Sequence, residues 1–382
     1  MSLIRNGNRL EYNAPSSSLP KEPDPKDTDP DHFYVNLTFF NNNTSNINVM
    51  NQTIPAKIEQ TFSRDLIAEP DLWNASVVRF SIASDTVPRV TQVLGTTGGN
   101  TDLYVNLSYN GTFYDEPIVL PTYPNLSGAV QAVYQVNEFL DIINAAYREA
   151  QVEVALAGGP TGPTGVAAFM MFDPATSLYT MNVPVFYGTG SVGTSTTVGV
   201  GMSYQLYHKF GSFNVVQNDP ILMNNIDDTF VKAVRGDNIV TLNYPSAGIT
   251  GQYMQLRQDS PWGSSIEDVD RLLLTTQFLP VIKEYRAEQL YTQFAGNNSN
   301  QNLSIITDFF IGADSPLLPR AENFIYIPNI YRICSLKGQT PIRTVDIQVY
   351  YATKAGLIFP LYLNPLDGMD LKILFLKKGL PA

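Results

Sequence analysis

The sequence contains one cysteine and two histidines, and it lacks the short motifs on which most catalytic and metal sites depend. Cys334 cannot form a disulfide within the chain, and its apolar neighbours favour a small buried core residue. His32 and His208 have no Cys or His partner at metal-ligand spacing, and no Cys-X-X-Cys pattern or Gly-X-Ser-X-Gly elbow occurs. The sequence therefore predicts no catalytic, cofactor-binding or metal-binding residue, and a protein that is not an enzyme.

Charged residues are scarce as well, at 15% of the chain, and the formal net charge is −11. This balance argues against sequence-independent nucleic-acid binding, which needs Lys and Arg to displace phosphate counterions; we expect no sequence-specific nucleic-acid partner either. Lys372, Lys377 and Lys378 are interpreted as solubilising charges at a strand edge. The low charge favours burial of surface against other subunits, with a monomer whose surface is rich in Asn, Thr and Ser as the alternative.

Long apolar segments are also absent. No run reaches the ~18 apolar residues that are needed to cross a bilayer. The stretch from Met1 to Asn6 lacks the apolar segment of a signal peptide. We therefore expect no membrane span and no secretion.

Two acidic motifs support only weak functional hypotheses. Asp27 to Asp31 resembles the start of a calcium loop, but His32 and Thr38 stand where the loop needs glycine and a bidentate glutamate. Asp227-Asp228 or Glu267-Asp268-Asp270 could supply the paired carboxylates of a glycosidase. Acidic residues in loops are usually solvated, so neither motif predicts a site.

What the sequence does contain is a series of short strands with alternating apolar residues. In Thr344–Tyr351, the side chains of Val345, Ile347, Val349 and Tyr351 fall on one face. Further strands are predicted at 33–40 (Phe33, Val35, Leu37 and Phe39 inward), 73–82 (Val78, Phe80 and Ile82 on one face), 102–109 (Leu103, Val105 and Leu107 inward), 112–120, 168–172 and 178–183. Asn110-Gly111 is a strong hairpin signal. The 21 Tyr, 20 Phe, 26 Pro and 26 Gly suit such a mainly β protein.

One segment has helical periodicity instead. A stripe of apolar residues recurs at helical spacing at Val133, Val136, Leu140, Ile143 and Tyr147, widened by Phe139 and Ala146. With Ser127 as N-cap, the pattern predicts a helix over 128–150 that packs on a sheet. The glycine-rich residues 159–165 are predicted to form a mobile loop. Gly188 to Gly193 lacks the Gly-Lys-Ser/Thr of a phosphate-binding loop.

These patterns divide the chain into four parts. Residues 1–31 are expected to be a flexible N-terminal arm, because five prolines and almost no apolar side chain between 11 and 31 cannot build a core. Residues 32–125 and 262–382 are expected to form the two parts of a β domain. Residues 126–261 are expected to be an insertion that carries the helix, glycine-rich loops and short strands.

Several segments occur in an order that is similar to a known family. They are Trp73–Ile82 with Val87-Pro88, Tyr134–Ala146, Leu274–Glu284, Ile305–Phe309, Phe324–Arg332, Ile342–Tyr351, Phe359–Leu361 and Leu371–Lys378. In this order they resemble the penton-type minor capsid proteins of virophages and polinton-like viruses. The resemblance covers residues 70–310 in patches and 320–380 nearly continuously. The arm and the glycine-rich middle match nothing in that family.

The resemblance implies an antiparallel single jelly roll, a two-sheet sandwich interrupted by the insertion. It implies homopentamers at the fivefold vertices of an icosahedral capsid, beside a double jelly-roll major capsid protein, in a virion assembled in the host cell. A closed ring needs a head-to-tail interface that buries two different faces of each subunit. The N-terminal arm would then order against neighbours or inner capsid components. The family offers no catalytic residue to transfer.

Two other classes of protein are compatible with the same patterns. One is a different virion β protein, either a trimeric capsid subunit or a receptor-binding spike that uses the glycine-rich middle. The other is a carbohydrate-binding β-sandwich, either a lectin or an enzyme. Trimers in solution would favour the first class, and a monomer that binds sugars would favour the second.

Overall fold

The structure is a computed structural model. It describes residues 4–6, 9–11, 31–42, 54–93, 103–121, 130–188, 198–211, 213, 215–216, 228–231, 239–243, 250–259, 266–282, 289–290, 303–311 and 323–379. The first twelve strands are β1 (Ile4–Asn6), β2 (Arg9–Glu11), β3 (His32–Phe40), β4 (Ile54–Pro55), β5 (Lys57–Thr61), β6 (Trp73–Ala83), β7 (Val90–Val93), β8 (Tyr104–Tyr109), β9 (Thr112–Pro117), β10 (Val130–Val133), β11 (Phe169–Asp173) and β12 (Leu178–Pro184).

The remaining strands are β13 (Gly199–Ser203), β14 (Val215–Val216), β15 (Asp228–Val231), β16 (Ile239–Asn243), β17 (Thr250–Arg257), β18 (Val269–Thr275), β19 (Gln289–Leu290), β20 (Ile305–Phe310), β21 (Asn323–Tyr326), β22 (Cys334–Ser335), β23 (Thr344–Thr353), β24 (Leu357–Pro360), β25 (Tyr362–Leu363) and β26 (Gly368–Lys377). The described α-helices are α1 (Val136–Leu156) and α2 (Tyr204–Phe210), and 3-10 turns lie at Pro70–Leu72, Ser84–Thr86 and Val185–Tyr187.

Eight of these strands form the two facing sheets of a single jelly roll. The first sheet has the order β21-β6-β26-β3, and the second has the order β5-β23-β18-β20, with β24 also paired to β23. When these eight strands are numbered one to eight in chain order, the first sheet has the order 6-3-8-1 and the second has the order 2-7-4-5. Every pair of neighbouring strands among the eight is antiparallel. The mainly β, antiparallel jelly roll expected from the sequence is therefore confirmed.

The alternating residues of the predicted strands fill the space between the two sheets. Val35 and Leu37 of β3 and Val345, Ile347, Val349 and Tyr351 of β23 are all buried in the same apolar cluster. Strand β6 departs from the simple alternation. The pairing with β26 moves from Lys372–Arg79 to Ile373–Val77, so Val78 is the extra residue of a β-bulge. The prediction that Val78 shares a face with Phe80 and Ile82 was wrong for this reason, and Val77 takes its place in the core.

A second apolar cluster lies in the part of the chain between the third and fourth jelly-roll strands. Its buried members run from Val90 to Ile266 and come from β8, α1, β11, β12 and β13, among others, and Tyr114 of β9 packs against them. The hairpin of β8 and β9 packs on α1 in this cluster. Because the hairpin precedes residue 126, we propose that the inserted part extends over about residues 90–266 rather than 126–261.

The helix of the inserted part begins later than the sequence indicated. The helix was predicted over 128–150, but α1 spans Val136–Leu156, and Ser127 lies outside the described residues. Val130–Val133 instead form β10, which pairs antiparallel with Val90–Val93. The predicted stripe is otherwise confirmed, since Phe139, Leu140, Ile143, Ala146 and Tyr147 are buried.

Two turns require glycine. Asn110 and Gly111, both with positive φ (50° and 75°), join β8 to β9 as the sequence predicted. In the loop after α1, a Cβ at Gly162 would collide with the ring of Phe186. This loop is also held by Gln151, whose Nε2 donates to the Pro160 carbonyl at 3.2 Å.

Candidate interaction surface

The polar residues singled out in the sequence do not come together as a reactive site. His32 and His208 are exposed, and each ring lies against a tyrosine, with centroids 5.9 Å from Tyr34 and 4.1 Å from Tyr204. Within the described residues, no group of three or more His, Cys, Asp or Glu side chains could hold a metal ion. Of the calcium-like stretch, only Asp31 belongs to the described part.

The acidic run at 267–270 contacts cations rather than forming a pair of free carboxylates. Glu267 Oε1 lies 2.7 Å from Arg89 Nη1, and Asp268 Oδ1 lies 2.5 Å from Lys209 Nζ. Asp270 Oδ2 lies 3.7 Å from the Nε of the adjacent Arg271. Each of the three carboxylates therefore has a cation as its neighbour. In the other acidic pair, Asp227 lies outside the described residues and Asp228 begins β15.

Cys334 is half-buried, not fully buried as the sequence suggested. Its Sγ lies 3.1 Å from the carbonyl oxygen of Ile306, and burial raises the pKa of the thiol. Cys334 lies in β22, which pairs with β6, and it packs against the core of the sandwich. A thiol with a raised pKa is a poor nucleophile, which agrees with a structural role.

The C-terminal lysines lie along the protein surface and contact aromatic rings or carbonyl groups. Lys372 Nζ is 4.3 Å from the centre of the Tyr34 ring, and Lys377 Nζ is 5.7 Å from that of Trp73. Lys378 donates to the Leu336 carbonyl at 2.9 Å. Because β26 pairs with β3 on one side and with β6 on the other, the interpretation of these lysines as charges at a strand edge was wrong.

The most unusual surface feature is a run of exposed apolar side chains that begins in the sixth jelly-roll strand, β21, and continues beyond it. We call it the 325–333 ridge, and it consists of Ile325, Ile327, Ile330, Tyr331 and Ile333. Ile330 is 88% exposed, and Ile325 and Ile327 are 62% and 64% exposed. Large exposed apolar patches are typical of interaction sites, so the ridge is the candidate interaction surface.

The ridge is fixed to the sandwich by the residues that alternate with it. Tyr326 stacks on Phe309 of β20 at 4.2 Å between ring centroids, and Phe324 stacks on the same ring at 5.6 Å. Beyond them, Arg332 Nη1 lies 2.7 Å from Asp308 Oδ1. Because these inward contacts hold the segment at both ends, the isoleucines between them point outward.

The apolar surface continues from the ridge onto the outer face of the first sheet. Tyr331 and Ile333 border a small depression that is also lined by Leu374 and Leu376 of β26. Ser76 lies at its base, and it is 3% exposed. One end of the outer face is therefore apolar, although outer faces of sandwiches normally alternate to polar residues.

The opposite end of the same sheet carries an acidic groove of about 590 Å³. Its lining includes Asp85, Asp367 and Asp370 together with the exposed side chains of Phe40 and Leu366. Burial, and secondarily the negative charge of Asp85, raises the pKa of Asp367 to about 6. This carboxyl group therefore changes charge near neutral pH.

Comparison with known proteins places these features in a family. A family model described as Sputnik minor capsid protein V18/19 matches residues 33–377. The cryo-EM structure of the Sputnik virophage contains a chain with a TM-score of 0.65 and 21% identity; the match covers 92% of this chain and 99% of that one. The crystal structure of the mavirus penton protein gives a TM-score of 0.59 and 12% identity, with coverage of 91% and 99%.

The two structural matches are too distant in sequence to show more than the fold. No curated protein sequence matches the chain. Among the described residues, no helix has the length and apolar character needed to span a bilayer. The residues that the family model matches run from the first strand of the sandwich to the last.

Proposed function

This chain belongs to the family of the Sputnik minor capsid protein V18/19, and on that basis we propose that it forms homopentamers at the fivefold vertices of an icosahedral capsid. Membership of the family makes it a minor capsid protein of virophage type, and thus a component of the virion. The vertex position and the number of copies are the proposed part. The likeness of its jelly roll to the mavirus penton protein supports them.

The observation that carries the proposal is the 325–333 ridge on a single jelly roll. A ring of identical subunits needs apolar surface that is exposed in the monomer and covered in the assembly. The ridge supplies such surface on one lateral side of the sandwich, where β20 and β21 meet. We therefore propose that the protein acts through shape and buried area, without catalytic turnover.

Two further partners are proposed. The ring would sit among subunits of a double jelly-roll major capsid protein. The N-terminal arm, residues 1–31, would contact neighbours or inner capsid components. In support, the Lys377 N–H donates to the Asp31 carbonyl at 3.0 Å, so Asp31, the last residue of the arm, lies beside the last strand of the sandwich.

The test is the solution mass of the purified protein by light scattering, with negative-stain images of the same peak. A mass near five times 42.3 kDa with fivefold rings is expected. A trimer would contradict the proposal and favour a major capsid subunit or a spike. A protein that remains monomeric up to the highest soluble concentration, with and without the major capsid protein, would also contradict it.

A further inference from the structure

The first jelly-roll sheet ends in two strand edges that are both free and uncharged. Its order, β21-β6-β26-β3, leaves β21 and β3 with a neighbour on one side only among the described residues. Neither β3 (His32–Phe40) nor β21 (Asn323–Tyr326) contains Asp, Glu, Lys, Arg or Pro. Free edges of natural sheets are normally protected by charges, proline or bulges, because an unprotected edge pairs with any strand that reaches it.

The second sheet shows the usual protection. Its edge strand β5 carries Lys57 and Glu59, which form an exposed ion pair at 3.2 Å. Its other edge, β20, carries Asp308, which is bound by Arg332 at 2.7 Å. Of the eight jelly-roll strands, β5 and β20 thus carry charges at the edges of the second sheet, whereas β21 and β3 carry none at the edges of the first. This contrast indicates that both edges are covered in the working form of the protein.

The strand directions show how one edge can cover the other. Each neighbouring pair in the first sheet is antiparallel, so β21 and β3, three steps apart, run in opposite directions. A second copy that is rotated about an axis parallel to the strands keeps its strand directions. Its β3 would therefore meet β21 of the first copy in antiparallel orientation, which is the pairing that the whole sheet already uses.

We propose that β3 of each copy adds to β21 of the next copy, so that the first sheets join edge to edge around the ring. The interface is head-to-tail and uses two different edges of one subunit, which is the condition for a closed ring. A single foreign partner would account for one uncharged edge, whereas a second copy accounts for both. The inference deepens the proposed function and rests on it.

The side chains on the outer faces of the two strands suit this pairing. Ile325 and Ile327 belong to the ridge, and β3 presents Tyr34 and Phe40, each 48% exposed. Aromatic and β-branched residues are favourable neighbours across antiparallel strands. The pairing would cover apolar side chains on both copies and satisfy the free backbone groups of both edges.

The first experiment places one charge on either edge and measures the solution mass. Ile325→Lys and Asn36→Lys are each expected to shift the protein from five times to one times 42.3 kDa, with unchanged far-ultraviolet circular dichroism. Leu156→Lys is the matched control, because Leu156 is 83% exposed but lies on α1 of the inserted part. The control is expected to remain pentameric.

The second experiment uses cysteines to identify which edges meet. In a Cys334→Ser background, Ile325→Cys is mixed in turn with Tyr34→Cys, Asn36→Cys and Thr38→Cys, and each mixture is oxidised. Cross-linked dimers are expected in at least one mixture and in none of the single-variant samples, because the contact joins two different edges. A double variant with Ile325→Cys and the reactive β3 cysteine is expected to give a ladder that ends at five chains.

The outcomes separate the inference from the function on which it rests. A wild-type pentamer that is unaffected by both lysine substitutions would overturn the edge pairing and leave the proposed function standing. Cross-linked dimers in the sample of Ile325→Cys alone would show that β21 meets β21 in a symmetric contact. This result would also overturn the pairing of β21 with β3. A wild-type protein that never forms pentamers would overturn the proposed function, and the edge pairing with it.

Discussion

The guanidinium of Arg89 lies 2.7 Å from the carboxylate of Glu267, although 178 residues separate them in the sequence. One residue further along, the Asp268 N–H donates to the Arg89 carbonyl at 2.7 Å. The Asp268 carboxylate in turn accepts from the Thr91 N–H at 2.8 Å and from Lys209. The two points where the chain leaves and rejoins the sandwich therefore lie side by side and bind each other.

The Arg89–Glu267 pair should contribute measurably to stability, because both side chains are largely buried, at 8% and 15% exposed. Arg89→Met, which leaves Glu267 without its arginine, is expected to lower the free energy of unfolding by about 3 kcal/mol. The double variant Arg89→Met/Glu267→Leu should recover most of the loss. Urea titration measures each value.

The matched control is the Arg343–Asp65 pair, whose side chains are 64% and 36% exposed. Arg343→Met is expected to lower the free energy of unfolding much less than Arg89→Met does, because solvent screens an exposed pair. Equal losses for Arg89→Met and Arg343→Met would show that burial of the first pair has no energetic effect.

Asp346 is expected to be the most sensitive carboxylate of the sandwich. It is fully buried and accepts hydrogen bonds from Thr276 Oγ1 at 2.5 Å and from the N–H groups of Gln277 and Phe278, each at 2.9 Å. In Asp346→Asn, one oxygen becomes an NH₂ group that faces donors. We expect a loss of about 2–3 kcal/mol by urea titration. Asp370→Asn, at an exposed position, is the control and should change stability by less than about 1 kcal/mol.

The pH dependence of stability should reflect Asp367. Its pKa is raised to about 6 in the folded protein, so between about pH 4 and 6 the folded state holds a proton that the unfolded state has released. The favourable contribution is present below the unfolded pKa and is lost as the pH rises through about 6. Asp367→Asn is therefore expected to raise the thermal midpoint at pH 7 and to leave it unchanged near pH 4.

Asp85→Asn serves as the companion to that measurement. Removing the Asp85 charge lowers the pKa of Asp367, so the variant should gain part of the same stabilisation at pH 7. A thermal midpoint that responds to neither substitution between pH 4 and 7 would contradict the burial of Asp367 as the cause.

The strands and the jelly roll could be predicted where one face of a strand is apolar and the other polar. This holds for β23 and β3, whose inward residues were identified from period two alone. The bulge at Val78 could not be predicted, because Ala75 to Val78 contains only small or apolar residues and fits either register. The helix began late because Val130–Val133 pairs with a strand about 40 residues away, a contact that no local pattern reports.

The ridge could not be predicted for a related reason. Phe324 to Ile327 are four apolar residues in succession, so the sequence does not show which two face outward. Only the stacking of Phe324 and Tyr326 on Phe309 determines the direction. Asp346 is a residue that the pattern places on the wrong side. The period of two in Thr344–Tyr351 puts Asp346 on the face opposite the apolar residues, but the turn at 276–278 covers it with hydrogen-bond donors.

The hydrogen bond between Asp268 and Arg89 also predicts that the sandwich can fold without the inserted part. A hydrogen bond from an N–H to the carbonyl three residues earlier is the bond that closes a β-turn, so two residues can connect Arg89 to Asp268, and Asn-Gly is a favourable sequence for them. Replacing residues 90–267 with Asn-Gly should give a protein with a strand-rich circular dichroism spectrum and cooperative urea unfolding. Because β3 and β21 are unchanged, this protein should keep the oligomeric mass of the full chain. A folded monomer would show instead that the inserted part, with α1 and its apolar cluster, supplies the contact that closes the ring.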